Sequence, residues 1–79
     1  MNIDDTVSID HPTRDGGRSI SVGRVTWIED FGEYMYFGYV CSLDAVRAGS
    51  ERWGAARVYK NEATAPKYAA RVTTIQTAR

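Results

Sequence analysis

The chain has one cysteine, one histidine and two prolines among 79 residues, and these scarcities exclude several kinds of chemistry. A single cysteine, Cys41, allows no internal disulfide. It reads as a small apolar core residue, because it falls on the apolar side of an alternating run. A single histidine, His11, with no cysteine cluster to join it, leaves no ligand set for structural zinc. It sits before Pro12, where a strand end is expected. No apolar run approaches the roughly 20 residues of a membrane span. The opening MNIDDTVSID is acidic and lacks the basic-then-apolar order of a secretory leader, so a cytoplasmic location is expected.

Catalytic motifs are equally scarce. There is no nucleophile elbow, no HExxH zinc helix and no glycine-rich phosphate loop. DGGRS, residues 15–19, has two glycines and an arginine but lacks the following lysine of a phosphate cradle. The adjacent acids Asp4/Asp5 and Glu29/Asp30 read as solvated groups at strand ends and turns. A chain this short has little material to enclose a water-free site. Neither an enzyme nor a cofactor is expected.

What is present is a folded, single-domain composition. The hydrophobic fraction of 43% and the charged fraction of 25% are those of a globular protein and not of a disordered one. Residues 1–79 make one domain with a small core, since a chain of this size buries only about 60–65% of its unfolded surface. There is no internal repeat.

The densest signal is EYMYFGYVCSL, residues 33–43. In a strand, successive side chains face opposite sides. Met35, Phe37, Tyr39, Cys41 and Leu43 then form an unbroken core face, and Tyr34 and Tyr36 stand together on the other. TVSIDH, 6–11, alternates Val7 and Ile9 against Ser8 and Asp10, and Pro12 with the paired glycines of PTRDGGR ends it. In SISVGRVTWIE, 19–29, Ile20 and Val22 have one parity and Val25 and Trp27 the other. A bulge or bend at Gly23 is expected to turn both pairs toward the core. DFGE, 30–33, reads as a hairpin turn.

Further along, AARVYK, 55–60, opposes Val58 to Arg57 and Tyr59, and reads as a fourth strand. SLDAVRAGSERWG, 42–54, has the residues for one short helical turn near 43–48. In the tail, Tyr68, Val72 and Ile75 have helical spacing, with Pro66 suited to a first turn, so a C-terminal helix is one reading. The β-branched run Arg71-Val72-Thr73-Thr74-Ile75 favours the other, a fifth strand. The expected fold is mainly β: a small, strongly bent, five-stranded antiparallel sheet or barrel.

Residues 5–42 resemble the opening of Src-homology-3-like (SH3-like) small barrels. That group includes the KOW-type modules of ribosomal and transcription proteins and a small barrel subunit of photosystem I. The matching positions are Asp5, Val7 and Ile9, then Val22, Gly23, Val25 and Ile28. The resemblance implies a barrel and either a protein or a nucleic-acid partner; it does not choose between them.

Charge is uneven along the chain. Residues 1–40 carry three basic against seven acidic side chains, and residues 41–79 carry seven against three. The net charge of zero argues against whole-molecule mimicry of nucleic acid. Tyrosine, tryptophan and arginine dominate binding hot spots. The candidate contact residues are therefore Tyr34, Tyr36, Trp53, Tyr59 and Tyr68, with Arg52, Arg57 and Arg71 beside them. The expected function is a non-enzymatic protein-binding module, in its sharper form a phage- or plasmid-encoded inhibitor or accessory protein. Such a protein would occlude a larger host protein or ribonucleoprotein, in an anti-CRISPR or other anti-defence role. The alternative is single-stranded nucleic-acid binding, with Trp53 and Tyr59 stacking on bases among Arg52, Arg57, Lys60 and Arg71. The sequence does not specify an oligomeric state.

Overall fold

Alternating side chains and glycine-marked turns produce five antiparallel strands in the computed structural model, which describes residues 1–41 and 52–78. They are β1 (Thr6–Pro12), β2 (Arg18–Asp30), β3 (Tyr34–Cys41), β4 (Arg52–Tyr59) and β5 (Arg71–Gln76). A 3-10 turn at Glu62–Thr64, capped by the Asn61 side chain, separates the last two strands. The strands form one sheet in the order β4-β3-β2-β1-β5. β4 and β5 are thus the two edges, and no pairing joins them among the described residues. The tail takes the strand reading and not the helical one. The expected helical turn near 43–48 lies outside the described residues. No helix among the described residues is long and apolar enough to cross a membrane.

The core sits on one face of this bent sheet. Val7 and Ile9 from β1, Val25 from β2, and Phe37 and Tyr39 from β3 are buried together. Met1, Ile28, Cys41, Ala56, Val58, Ala70 and Val72 pack around them. Full burial of such side chains contributes roughly 1.5–3 kcal/mol each. Of the apolar face expected of β3, Phe37 and Tyr39 turn inward, Met35 and Cys41 are half-buried, and Leu43 lies outside the described residues.

Tyr39 needs space on both sides. A Cβ at Gly23 would lie 2.8 Å from its ring, and a Cβ at Gly54 would lie 2.6 Å from its hydroxyl. These glycines on β2 and β4 let the tyrosine lie across its neighbours. Burial pushes its hydroxyl pKa up.

β2 differs from the expectation in one respect. The pairing of β2 with β1 runs unbroken through Gly23, which faces Val7. The register shift lies between Val25 and Trp27, in the pairing with β3. Ile20 and Val22 therefore stay outward and exposed, and Val25 alone of the four expected residues is buried. Gly23 is required for close approach, not for a bend: its Cβ would also sit 2.8 Å from the Val40 carbonyl oxygen.

Both chain ends meet at Asp5, which is buried. Its carboxylate accepts the backbone N–H of Asn2 at 2.7 Å and that of Ala78 at 2.7 Å. The Val25 N–H donates to the Asp5 carbonyl at 2.9 Å. The two N–H donors, Ala78 first, hold the Asp5 carboxyl below the usual carboxylate range.

Two outcomes follow. Gly23→Val is expected to cost about 1–3 kcal/mol of stability through overpacking. Arg24→Ala removes only an exposed ion pair to Asp4 and should cost under about 1 kcal/mol. Equal melting temperatures for the two variants would refute the close-approach argument. For Asp5, the folded pKa lies below the unfolded value of about 3.9, so its stabilisation is complete above that pH and is lost as pH falls through the folded value. Asp5→Asn should melt below the parent at pH 7, and the gap should narrow in acid. A gap independent of pH would show that the carboxylate's charge plays no part.

Candidate functional site

The sheet's second face gathers aromatic side chains. In antiparallel pairing, residues directly opposite share a face. Tyr34 stands opposite Tyr59, Tyr36 opposite Arg57, Gly38 opposite Ala55 and Val40 opposite Trp53. On the other side of β3, Glu29 is opposite Tyr36 and Trp27 is opposite Gly38. With Phe31 from the β2–β3 turn, six of the nine aromatic residues lie on this outward face.

The bulge at Thr26 is what places Trp27 here. One extra residue on β2 reverses the alternation, so Val25 points inward and Trp27 outward. The Thr26 hydroxyl is left buried with no hydrogen-bond partner among the described residues. The indole then covers Gly38, where a Cβ would collide with it. Its edge meets the Tyr36 ring at 5.3 Å between centroids.

Phe31 stacks on Tyr34 at 5.4 Å, and Tyr34 packs against Tyr59 at 5.3 Å. Arg57 lies over two rings, 5.1 Å from the centre of Tyr34 and 5.8 Å from that of Tyr36. Aromatic pairs of this kind add about 0.5–1.5 kcal/mol beyond area, and exposed cation–π contacts about 0.5–1 kcal/mol. The face is a rigid, mutually braced surface.

The turn presenting Phe31 is fixed by Asp30. Its carboxylate accepts the Gly32 N–H at 2.8 Å and both oxygens reach the Lys60 ammonium, at 2.9 and 2.8 Å. Lys60 first, then Gly32, holds this carboxyl below the usual range. Gly32 has φ +89°, in the left-handed region that favours glycine. Glu29, Asp30 and Glu33 border the aromatics, while Arg57 lies among them and Lys60 is tied to Asp30.

The expected contact residues divide into three groups. Tyr34, Tyr36, Arg57, Tyr59 and Trp53 share the outward face, as the parity of β3 and β4 indicates. Tyr34, Tyr36 and Tyr59 are half-buried by their neighbours, whereas Trp53 is 65% exposed. Tyr68 lines a recess that Tyr36, Arg57 and Tyr59 also border, and Arg71 lines an adjoining one that reaches Tyr59. The Arg52 side chain lies outside the described residues. Trp27 and Phe31 are the aromatics that sequence reasoning did not assign to this face. Phe31 had one signal, an aromatic at the tip of a polar turn. Trp27 had none, because its direction depends on the bulge.

No group of histidine, cysteine and carboxylate side chains able to hold a metal ion occurs among the described residues. Comparison with known proteins finds no matching family model, no matching curated protein and no matching solved structure.

The packing of Trp27 on Gly38 yields a test by double-mutant cycle. Gly38→Ala should cost about 1–3 kcal/mol, because the new methyl displaces the indole. In a Trp27→Ala background the same change should cost far less, giving a coupling energy above about 0.5 kcal/mol. Additive effects in thermal melts would show that the indole does not lie on Gly38.

Proposed function

We propose that this chain is a non-enzymatic protein-binding module whose contact surface is the outward aromatic face of β2, β3 and β4. The observation that carries the reading is six aromatic side chains and Arg57 on one sheet face, with Trp53, Phe31 and Trp27 at least 40% exposed. Rigid aromatics offer large contact area at low entropic cost, and they concentrate at the centres of protein interfaces. The acids at Glu29, Asp30 and Glu33 favour a partner whose own rim is basic. In its sharper form, the module is an inhibitor or accessory protein that works by occluding a larger complex, which needs only a compact body and one good face.

The strand order, with the long β2 shared between both halves of the sheet and a 3-10 turn before the last strand, supports an SH3-like architecture opened between β4 and β5. Single-stranded nucleic acid is less well served by this face. A phosphate chain tracking the aromatics would run beside Glu29 and Glu33, with the nearby Lys60 already held by Asp30, and phosphate contacts normally dominate such affinity.

The test is affinity capture from a lysate of the cell of origin, with and without nuclease. The parent should retain a stoichiometric protein in both cases, and the Phe31→Ser/Trp53→Ser double variant should lose it while remaining cooperatively folded, its melting temperature lowered only by loss of the Phe31–Tyr34 stack. Each hot-spot truncation costs about 2 kcal/mol or more, roughly thirtyfold in affinity. Retention of nucleic acid alone, with steep salt dependence, would overturn the reading, and so would a variant that binds like the parent.

A further inference from the structure

Among the described residues the sheet leaves β4 and β5 each with one unpaired edge, and residues of both strands line one groove. The wall on β4 runs through Ala55–Tyr59, and the facing wall is the segment 66–73, which leads into β5. Two recesses of about 580 and 480 Å³ lie along it and share Tyr59, Pro66, Ala69 and Ala70. Each is of the size of a ligand cleft. The groove floor reaches the core at Ile9, Tyr39 and Ala56.

Three features define what fits there. First, an edge strand presents unpaired backbone N–H and C=O groups along its length, a template for another strand. Second, the walls carry alanines at 55, 56, 69 and 70, so a backbone can approach closely. Third, the lining is cationic: Arg18, Arg57, Lys67 and Arg71 stand against Glu62 alone. Arg18 is bound to Asp10, whereas Arg57, Lys67 and Arg71 enter none of the ion pairs found among the described residues.

Register sets the pattern of the guest. Arg57 is opposite Tyr36, and Arg71 is opposite Asp10, so both arginines belong to the outward face of their strands. Val58 and Val72 belong to the inward face. We infer that this groove takes an extended acidic segment of a partner protein, which pairs with the free edge of β4 as a sixth strand. Its alternate apolar side chains cover the floor at Ile9, Tyr39 and Val72. The intervening carboxylates lie between Arg57 and Arg71. Backbone pairing of this kind supplies affinity, and the alternating side chains supply selection. The inference rests on the protein-binding reading and adds a second contact, which borders the aromatic face at Arg57 and Tyr59 but does not include Phe31 or Trp53.

Fluorescence anisotropy on the full chain tests it with labelled ten-residue peptides. One alternates valine and glutamate, and another alternates valine and lysine. Two further glutamate peptides are N-methylated on odd or on even residues, which removes alternate backbone donors. The glutamate peptide should bind at least tenfold more tightly than the lysine peptide. One N-methylated phase should lose binding and the other keep it. Lys67→Glu/Arg71→Glu, which leaves Arg57 on the aromatic face in place, should abolish the charge preference while circular dichroism shows an unchanged fold. The Phe31→Ser/Trp53→Ser variant should bind the peptide like the parent, so loss of the groove and loss of the aromatic face read out separately. Absence of saturable binding, equal binding of the lysine peptide, indifference to both N-methylation phases, or displacement by a twenty-nucleotide oligothymidine would each overturn the inference.

Discussion

One extra residue in β2 governs the character of the protein's outward surface. Without the bulge at Thr26, strict alternation would carry Trp27 to the same side as Val25 and leave Gly38 uncovered. With it, a single thirteen-residue strand serves two neighbours whose registers disagree: β1 along its first half and β3 along its second. The accompanying feature is a buried Thr26 hydroxyl with no partner among the described residues; an unsatisfied group of that kind costs about 1–3 kcal/mol. The gain is an indole that roofs Gly38, braces Tyr36 and extends the aromatic surface across three strands. The unsatisfied hydroxyl beside an exposed aromatic cluster is the kind of local compromise that proteins retain at working surfaces.

Much of this was legible in the sequence, for reasons specific to each segment. β3 alternates so cleanly that its pleat alone separates Phe37 and Tyr39 from Tyr34 and Tyr36. The β-branched run at 71–75 outweighed the helical spacing of Tyr68, Val72 and Ile75, because pairing with β1 rewards a strand there. The position of the β2 irregularity was not legible. Glycine is a common marker of bulges, and Gly23 drew the reading to itself, yet its role is to admit Tyr39 and the Val40 carbonyl. The outward positions of Ile20 and Val22 follow from that error, since apolar residues on a small sheet need not all reach the core. Trp53 stands on the outward face because it pairs opposite Val40, a placement that depends on the β3–β4 register.

The sheet order also resolves the uneven charge. Strands from the acidic part of the chain occupy the middle of the sheet, and the two from the basic part occupy its edges. Interleaving cancels the two at Asp30–Lys60, whereas Asp10–Arg18 and Asp4–Arg24 pair charges within the acidic part itself. What is left over segregates: carboxylates beside Phe31, guanidinium groups beside the open edges. Two surfaces of opposite polarity on a neutral domain suit a partner approached in one orientation and not its reverse.

The double anchorage of Asp5 bears on how the domain can be joined to others. Residues 2 and 78 donate to the two oxygens of one carboxylate, so entry and exit of the chain lie a few ångströms apart on the same side of the sheet. A fold with neighbouring ends can be opened elsewhere and rejoined there, or set into a surface loop of a second protein, with little strain on its strands. The turn at Asp15–Gly17, exposed and held by short-range hydrogen bonds of its own, is the natural place for new ends in such a circular permutant. A linker attached at residue 78 would in turn pull on the same buried carboxylate that holds residue 2, so strain at one position would be felt at the other.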